Sequence, residues 1–412
     1  MLFLFLFNLS LSHELLFNGF ECAVSSESGT ATEKPGNREI AGTIKPDFCI
    51  PILKKTDKSC TNGYFWIVSG SYSICSSGFK SRAVNFREFF HKILAPHPLF
   101  KVNHRKAIRE CYGYESTKHA KENKRGYLYP KNTYFAPNGQ YGRVFNKWYF
   151  LNSQDILIDP SCTSVGNYYD FKGKNFIDSK SLKLNHAWVY GMKGTPVYDG
   201  FLNPTGKRIK HHEALRVYSR VFKEKNGIRY IKSEMGFYIP ETHLRIATIS
   251  PAPSFLKSTS EKWIEVNKSQ QTMVAYEGNN PVFATLVSTA RKGHETYPGV
   301  YRIFYKRVSQ DISSRIGKKY TSRYENVPWI QFFDGDRAIH SSFWHNEFGS
   351  RNSRGCVEMS LSDSHFLFNW TTPHVPMGFY KMNQSAASPG TYIRIVDYQG
   401  QKVPFRSNVF SE

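Results

Sequence analysis

The stretch IHSSFWHNEFGSRNSRGCVEMS, residues 339–360, sets His340 and Cys356 sixteen residues apart near the end of the chain. A thiol reacts as its thiolate, so a working cysteine needs a base or a positive field beside it and donors for the oxyanion that forms on the attacked carbonyl. His340 is the natural base. Gly355 lets the backbone pass close to a substrate and frees the Gly355 and Cys356 amides to face an oxyanion, while Arg354 adds positive charge next to the thiol. Taken singly each residue has a plainer reading, because an isolated cysteine is ordinarily a small buried hydrophobe and a lone histidine a core or surface residue. Their combination is what points to a reactive thiol. His345 is a rival base within the loop, and Trp344 and Trp329 are candidates to stack on a substrate or to fill the core.

Working upstream, VPWIQFF and DRAIHSSF flank Asp334-Gly335, a favoured two-residue hairpin turn, which places His340 on the strand leaving the turn. Downstream, Ser360 to Asp363 has the spacing of a capping box before SHFLFNW, a short helix. From Trp263, the runs WIEVNKS, TMVAYEG, PVFATLVST and GVYRIFYK alternate apolar with polar residues and are broken by turn signals, which predicts an antiparallel sheet. Residues 250–262, SPAPSFLKSTSEK, read as a linker.

Residues 186–249 alternate around Lys225-Asn226-Gly227, whose Asn-Gly pair suits a hairpin turn with positive φ. This unit resembles the small Src-homology-3-like β-barrel modules of bacterial walls, with a plain hairpin extension of the next domain as the alternative. His211 and His212, in KRIKHHEAL, read as surface residues and not as metal ligands. Residues 47–180 mix cysteines, aromatics and basic residues without a chemical motif, residues 24–46 read as a polar flexible leader, and 399–412 as a tail.

With 412 residues the chain is long enough for two or three domains. Aromatics at 16%, mostly Phe and Tyr, with many Gly and Pro, favour a mainly β fold over helical bundles. Lys and Arg outnumber Asp and Glu by 55 to 33, a formal charge of +22, so attraction to polyanions is expected. The basic residues are scattered and carry no zinc-finger or RNA-binding signature, which leaves nucleic acid a minority reading beside an anionic cell envelope, with a plain solvated basic surface ahead of both. The opening MLFLFLFNLSLSHELLF is too short and too interrupted to span a bilayer, and residues 1–23 read as an export signal peptide. Cys49, Cys60, Cys75, Cys111 and Cys162 cluster early, as in an oxidised region with at most two bridges unless Cys22 joins them; Cys356 stands apart.

On these residues the C-terminal part, about 261–397, resembles the YkuD-type L,D-transpeptidases. His340-Ser341, the loop and Ser353-Arg354-Gly355-Cys356 are similar to that family's signature of a His with Gly or Ser, then Ser/Thr-His-Gly-Cys. WIEVNKSQQTMVAYEGNNPVFATLVSTA resembles its opening strands, and Thr296-Tyr297-Pro298-Gly299-Val300-Tyr301 its Thr-Pro-x-Gly-x-Phe element. The resemblance implies a β-sandwich-like catalytic domain over 263–398 with a short helix after the nucleophile. It implies that Cys356 attacks the carbonyl of the third residue of a peptidoglycan stem peptide, releases D-alanine, and passes the acyl group to an amine on another stem or on a wall-linked protein. His340 is then the base, the Ser341 carbonyl orients it, Gly355 and Cys356 amides hold the oxyanion, and Ser353, Arg354, Trp344 and Glu358 face substrate. Arg354 stands where most members carry His, and Glu358 where Asn or Arg is usual. No cofactor and no metal is expected. The competing readings are an L,D-carboxypeptidase, in which water is the acceptor, and a non-catalytic wall-binding protein that keeps the fold.

Overall fold

The computed structural model describes residues 20–24, 27–35, 40–44, 50–68, 72–84, 104–138, 140–166, 169, 171–176, 185–316, 319–376 and 378–406. The chain is mainly β and divides into two compact units, one of residues 1–102, 306–308 and 374–385, the other of 103–305, 309–373 and 386–412. The site residues named above all fall in the second unit.

In the first unit, strands Phe20–Val24, Gly29–Thr32, Ile40–Ile44 and Ile50–Cys60 surround a core of Ala23, Ile44, Ile50, Val68, Ile74, Phe379 and Met382. Two sequence expectations change here. The leader expected to be flexible over 24–46 contributes two paired strands, because Ala31, Ala41 and Ile44 supply buried apolar positions in a segment that is otherwise polar. The expected signal boundary at residue 23 falls inside a strand that pairs with Ile50–Cys60 and with Lys80–Val84, while residues 1–19 lie outside the described residues. Cys22 is itself disulfide-bonded, and Cys60 is bridged to Cys75.

The second unit is built around strands β1 (Lys262–Asn267), β2 (Thr272–Glu277), β3 (Asn280–Leu286), β4 (Gly299–Arg302), β5 (Lys319–Asp334), β6 (Arg337–Ser341) and β7 (Val357–Met359), helix α1 (Leu361–Trp370) and strand β8 (Tyr392–Val396). One sheet runs β3-β2-β1-β8-β4, antiparallel except for the parallel β1/β8 pair. Its inner face (Ile264, Val266, Met273, Ala275, Phe283, Ile393, Ile395) packs on Phe333, Ile339, Val357, Met359 and Leu367 from β5, β6, β7 and α1. That is the β-sandwich-like arrangement expected over 263–398.

The outer face is not solvated, as simple alternation would suggest. Trp263 and Tyr276 stack there at 4.1 Å, packed with Trp188, Phe171 and Phe348. The polar member Glu265 is buried and receives Arg394 Nε–H at 2.6 Å and Ser250 Oγ–H at 2.5 Å, so its charge keeps partners. The 250–262 stretch is therefore tied to the sheet at its first residue instead of hanging free.

Residues 185–247 form a separate seven-stranded antiparallel sheet with its own core, including Val189, Leu215, Val217, Ile231 and Ile246. The expected Asn226-Gly227 turn is present with φ of 53° and 73°. The sheet ends at strands Pro204–Ile209 and Leu244–Ala247, and among the described residues no pairing closes these edges into a barrel. Residues 104–166 form short strands that pair in parallel with β5 at Leu128↔Lys319 and Tyr134↔Tyr324. The Cys111–Cys162 bridge lies within their core. The expected 47–180 region is thus split between the two units. The tail docks as well: Val300 N–H donates to Pro404 O at 2.8 Å, with 407–412 outside the described residues.

Candidate functional site

The β5–β6 hairpin turns at Gly335, φ 53°, and delivers His340 to the buried middle of β6. Strand β7 lies parallel to β6 with Ile339↔Val357 and His340↔Glu358 in register. Cys356 ends the loop just before β7, partly exposed and free of any disulfide, with Sγ 3.9 Å from the Asp336 carbonyl oxygen. His340 Nδ1–H donates to the Ser341 carbonyl at 2.9 Å, which leaves Nε2 for the thiol. Burial alone disfavours an imidazolium, but the neighbouring Cys356 and Glu358 together raise the His340 pKa to about 9.

The loop before the cysteine is braced from within. Ser353 is buried, and its hydroxyl donates to the Cys356 carbonyl at 2.6 Å while accepting the Gly355 amide at 3.2 Å. Gly355 has φ 131°, a region that side-chain-bearing residues avoid, and a Cβ there would meet Arg337 Nε and the Glu295 carbonyl oxygen at 3.3 Å each. Thr296 Oγ1–H donates to the Gly355 carbonyl at 2.9 Å, and Thr289 O accepts the Asn352 and Ser353 amides at 3.0 Å each. Ser353 is placed to shape the loop, and the Gly355 amide is already engaged by it. Sequence reasoning assigned Ser353 to substrate and Gly355 to the oxyanion without seeing that the two are bonded to each other.

Glu358 and the rival base His345 form a pair. His345 Nε2–H donates to Glu358 Oε2 at 2.9 Å, and Glu347 N–H donates to His345 Nδ1 at 3.1 Å, so both ring nitrogens are occupied. Glu358 is therefore matched with His345 and not with Arg354, which is exposed and reaches Ser322 Oγ at 3.3 Å. Trp344 stacks on Tyr324 at 4.0 Å and its ring lies 6.1 Å from that of His340, so this aromatic pair adjoins the histidine. Trp329 is buried against His365 and Phe368 and belongs to the core.

Tyr324, Thr296 and the Asp336 carbonyl were not singled out from sequence, although the TYPGVY stretch contained Thr296. Tyr324 left no local signal, since its placement depends on the course of β5. Among the described residues no cluster of three or more His, Cys, Asp or Glu could hold a metal ion.

These features define a class, a β-sandwich domain with a histidine on one strand and a cysteine at the mouth of the neighbouring parallel strand. Residues 261–403 match the family model YkuD, the L,D-transpeptidase catalytic domain, in agreement with the resemblance carried by the motifs over 261–397. Solved structures similar to this part include L,D-transpeptidases. The C442S mutant of the Enterococcus faecium L,D-transpeptidase is 20% identical, with 33% of this chain and 50% of that chain covered and a TM-score of 0.26. An L,D-transpeptidase from Stackebrandtia nassauensis is 23% identical, covering 35% and 60%, at 0.25. The E. faecium catalytic domain acylated by ertapenem is 20% identical, covering 34% and 99%, at 0.26. The match thus spans about half to three-fifths of the first two relatives. No curated protein matches the chain.

Proposed function

We propose that the protein is an L,D-transpeptidase that acts on peptidoglycan stem peptides through a Cys356 acyl-enzyme. The observation that carries this reading is His340, buried on β6 with Nδ1–H fixed to the Ser341 carbonyl and its pKa raised to about 9 against burial by the neighbouring Cys356 and Glu358. The proton moves from sulfur to His340, and the thiolate attacks the carbonyl of the third stem residue. As the tetrahedral adduct collapses, His340 returns the proton to the leaving amine and D-alanine departs, leaving a thioester. An acceptor amine then gives a proton to His340, attacks the thioester and releases the thiol with a new amide bond. The Cys356 amide is the oxyanion donor in this scheme, joined by Gly355 once Ser353 Oγ releases its amide.

Arg354 draws in the stem carboxylates, and the Trp344–Tyr324 pair offers a flat apolar wall for the peptide. Glu358 acts behind the histidine. Its carboxylate favours the imidazolium, and its hydrogen bond with His345 keeps it from facing a substrate carboxylate unpaired. The acceptor is an amine on a second stem or on a wall-linked protein, and the site of action is the cell envelope, periplasm or cell wall. In keeping with this, the net charge of +22 favours association with an anionic envelope, and no helix among the described residues is long and apolar enough to cross a membrane.

The test is incubation of the protein, with Cys356→Ala alongside, with muropeptides bearing tetrapeptide stems, followed by mass spectrometry. Loss of D-alanine with dimer formation is the expected result. Loss without dimers makes the enzyme an L,D-carboxypeptidase, and no Cys356-dependent product leaves a wall-binding protein without turnover.

A further inference from the structure

The peptide bond between Gly355 and Cys356 joins the left-handed turn of the loop to the residue that carries the thiol, and side chains hold the backbone on both sides of it. Ser353 Oγ accepts the Gly355 N–H at 3.2 Å and donates to the Cys356 carbonyl at 2.6 Å, while Thr296 Oγ1–H donates to the Gly355 carbonyl at 2.9 Å. Of the backbone polar groups of these two residues, the Cys356 N–H is the one without a hydrogen-bond partner among the described residues. The bond is trans, so the Gly355 C=O and the Cys356 N–H share a plane and point in opposite directions. Whatever grips the carbonyl therefore aims the amide.

Thr296 is fixed for that grip. It is fully buried, and Ala290 N–H donates to its Oγ1 at 3.1 Å. An amide N–H can only donate and a carbonyl can only accept, so the hydroxyl proton is committed to Gly355. The residues on either side are anchored as well. The Glu295 carbonyl accepts Arg337 Nε–H at 2.9 Å, and the Tyr297 carbonyl accepts the Tyr301 hydroxyl at 2.9 Å. Arg337 opens β6, so the strand that carries His340 also braces the segment that holds the Gly355 carbonyl.

We propose that Thr296 is a positioning residue that aims the Cys356 amide at the oxyanion formed when the thiolate attacks a carbonyl. As the C–S bond forms, the carbonyl π pair moves onto oxygen and the Cys356 N–H donates to it. When the bond to the leaving group breaks, that pair returns to the carbonyl. A donor aimed beforehand needs no reorganisation while the charge develops, which is where it acts on rate. Alkylation of the same thiol displaces a halide from a saturated carbon and develops no oxyanion, so Thr296 contributes nothing to it. The inference rests on the cysteine acyl-enzyme reading above and deepens it.

The test compares two reactions of the free Cys356 in the full-length protein, acylation by p-nitrophenyl acetate and alkylation by iodoacetamide, both followed by intact mass with Cys356→Ala as the blank. Thr296→Val keeps the shape of the side chain and deletes the hydroxyl. It should slow acylation by about tenfold to a hundredfold and leave alkylation within about twofold of wild type, and Thr296→Ser should restore acylation. An equal fall in both reactions would make Thr296 merely structural and overturn the proposal. Unchanged acylation in Thr296→Val, or a loss in Thr296→Ser as large as in Thr296→Val, would overturn it too. Should Thr296→Val lack a cooperative melt, Thr296→Ala, which deletes the hydroxyl without new bulk, carries the same expectations. Wild-type acylation by the ester with no D-alanine released from tetrapeptide stems would sink the peptidoglycan reading alone, whereas a wild type that forms no ester adduct would sink both.

Discussion

His340 is buried and His212 half-buried, yet their pKa values have been pushed in opposite directions. His212 is lowered to about 4 by burial and by the neighbouring His211. His340 is raised to about 9, although burial works against it, because a thiol and a carboxylate stand within reach. Burial sets how strongly an imidazole feels its neighbours, and the sign comes from those neighbours. One region is arranged to hold a neutral donor, the other to hold a proton that can move.

The largest expected effect removes the thiol beside His340. Cys356→Ala should abolish acylation by a tetrapeptide-stem muropeptide, read as the mass added to the intact protein, while leaving the melting curve near wild type. An unchanged adduct would refute the nucleophile assignment. Next comes the base. His340→Gln should slow acylation by about 10²–10⁴-fold, measured by stopped-flow fluorescence, and a change below threefold would transfer the role elsewhere.

Glu358→Gln is a finer probe, since it keeps an acceptor for His345 and deletes the charge. The groups that face His340 are Cys356, Glu358 and the Ser341 carbonyl. Without the carboxylate the imidazolium is less favoured, so the alkaline limb of the acylation rate should move to lower pH, with a several-fold loss of rate at its optimum. A pH profile that does not move would make Glu358 merely structural.

The smallest effects are linked to stability. The folded pKa of His340 lies above its ordinary 6.5, so its contribution is complete below pH 6.5 and is lost as pH rises through about 9. Cys356→Ala should flatten that alkaline loss in denaturant titrations. For His212 the sign reverses: stability present above pH 6.5 is lost as pH falls through about 4. His212→Gln, which can still donate to the Phe348 carbonyl, should lower the acid midpoint by only about a few tenths of a pH unit, because His104 and His186 are also lowered to about 4.

The pair His340 and Cys356, the Asp334-Gly335 hairpin and the cap at Ser360 were legible because each depends on neighbours in sequence. The cap shows the boundary of that legibility. Ser360 Oγ does accept the Asp363 amide, but the Asp363 carboxylate, expected to complete the box, instead takes the Gly173 amide and the Thr285 hydroxyl at 2.5 Å. Nothing near residue 363 announces a partner 190 residues away. The same holds for Glu358 and His345, whose pairing needs β6 and β7 side by side, and for the 104–166 strands laid on β5. Arg323 and Glu325 are buried on β5, where partners distant in sequence, Asn152, Ala136 and Asp311, satisfy them. The cover on the outer face of the first sheet was not legible for a related reason, since alternation tells which residues share a face and not what covers it.

The parallel register of β6 and β7 separates two kinds of change the chain can absorb. Side chains alternate along a strand, so one residue added within 337–341 would turn His340 to the opposite face and part it from the thiol. Residues added at the exposed Arg351, on the connection between these strands, would leave both phases intact. Length in that connection can therefore drift while the alignment of His340 and Cys356 stays locked.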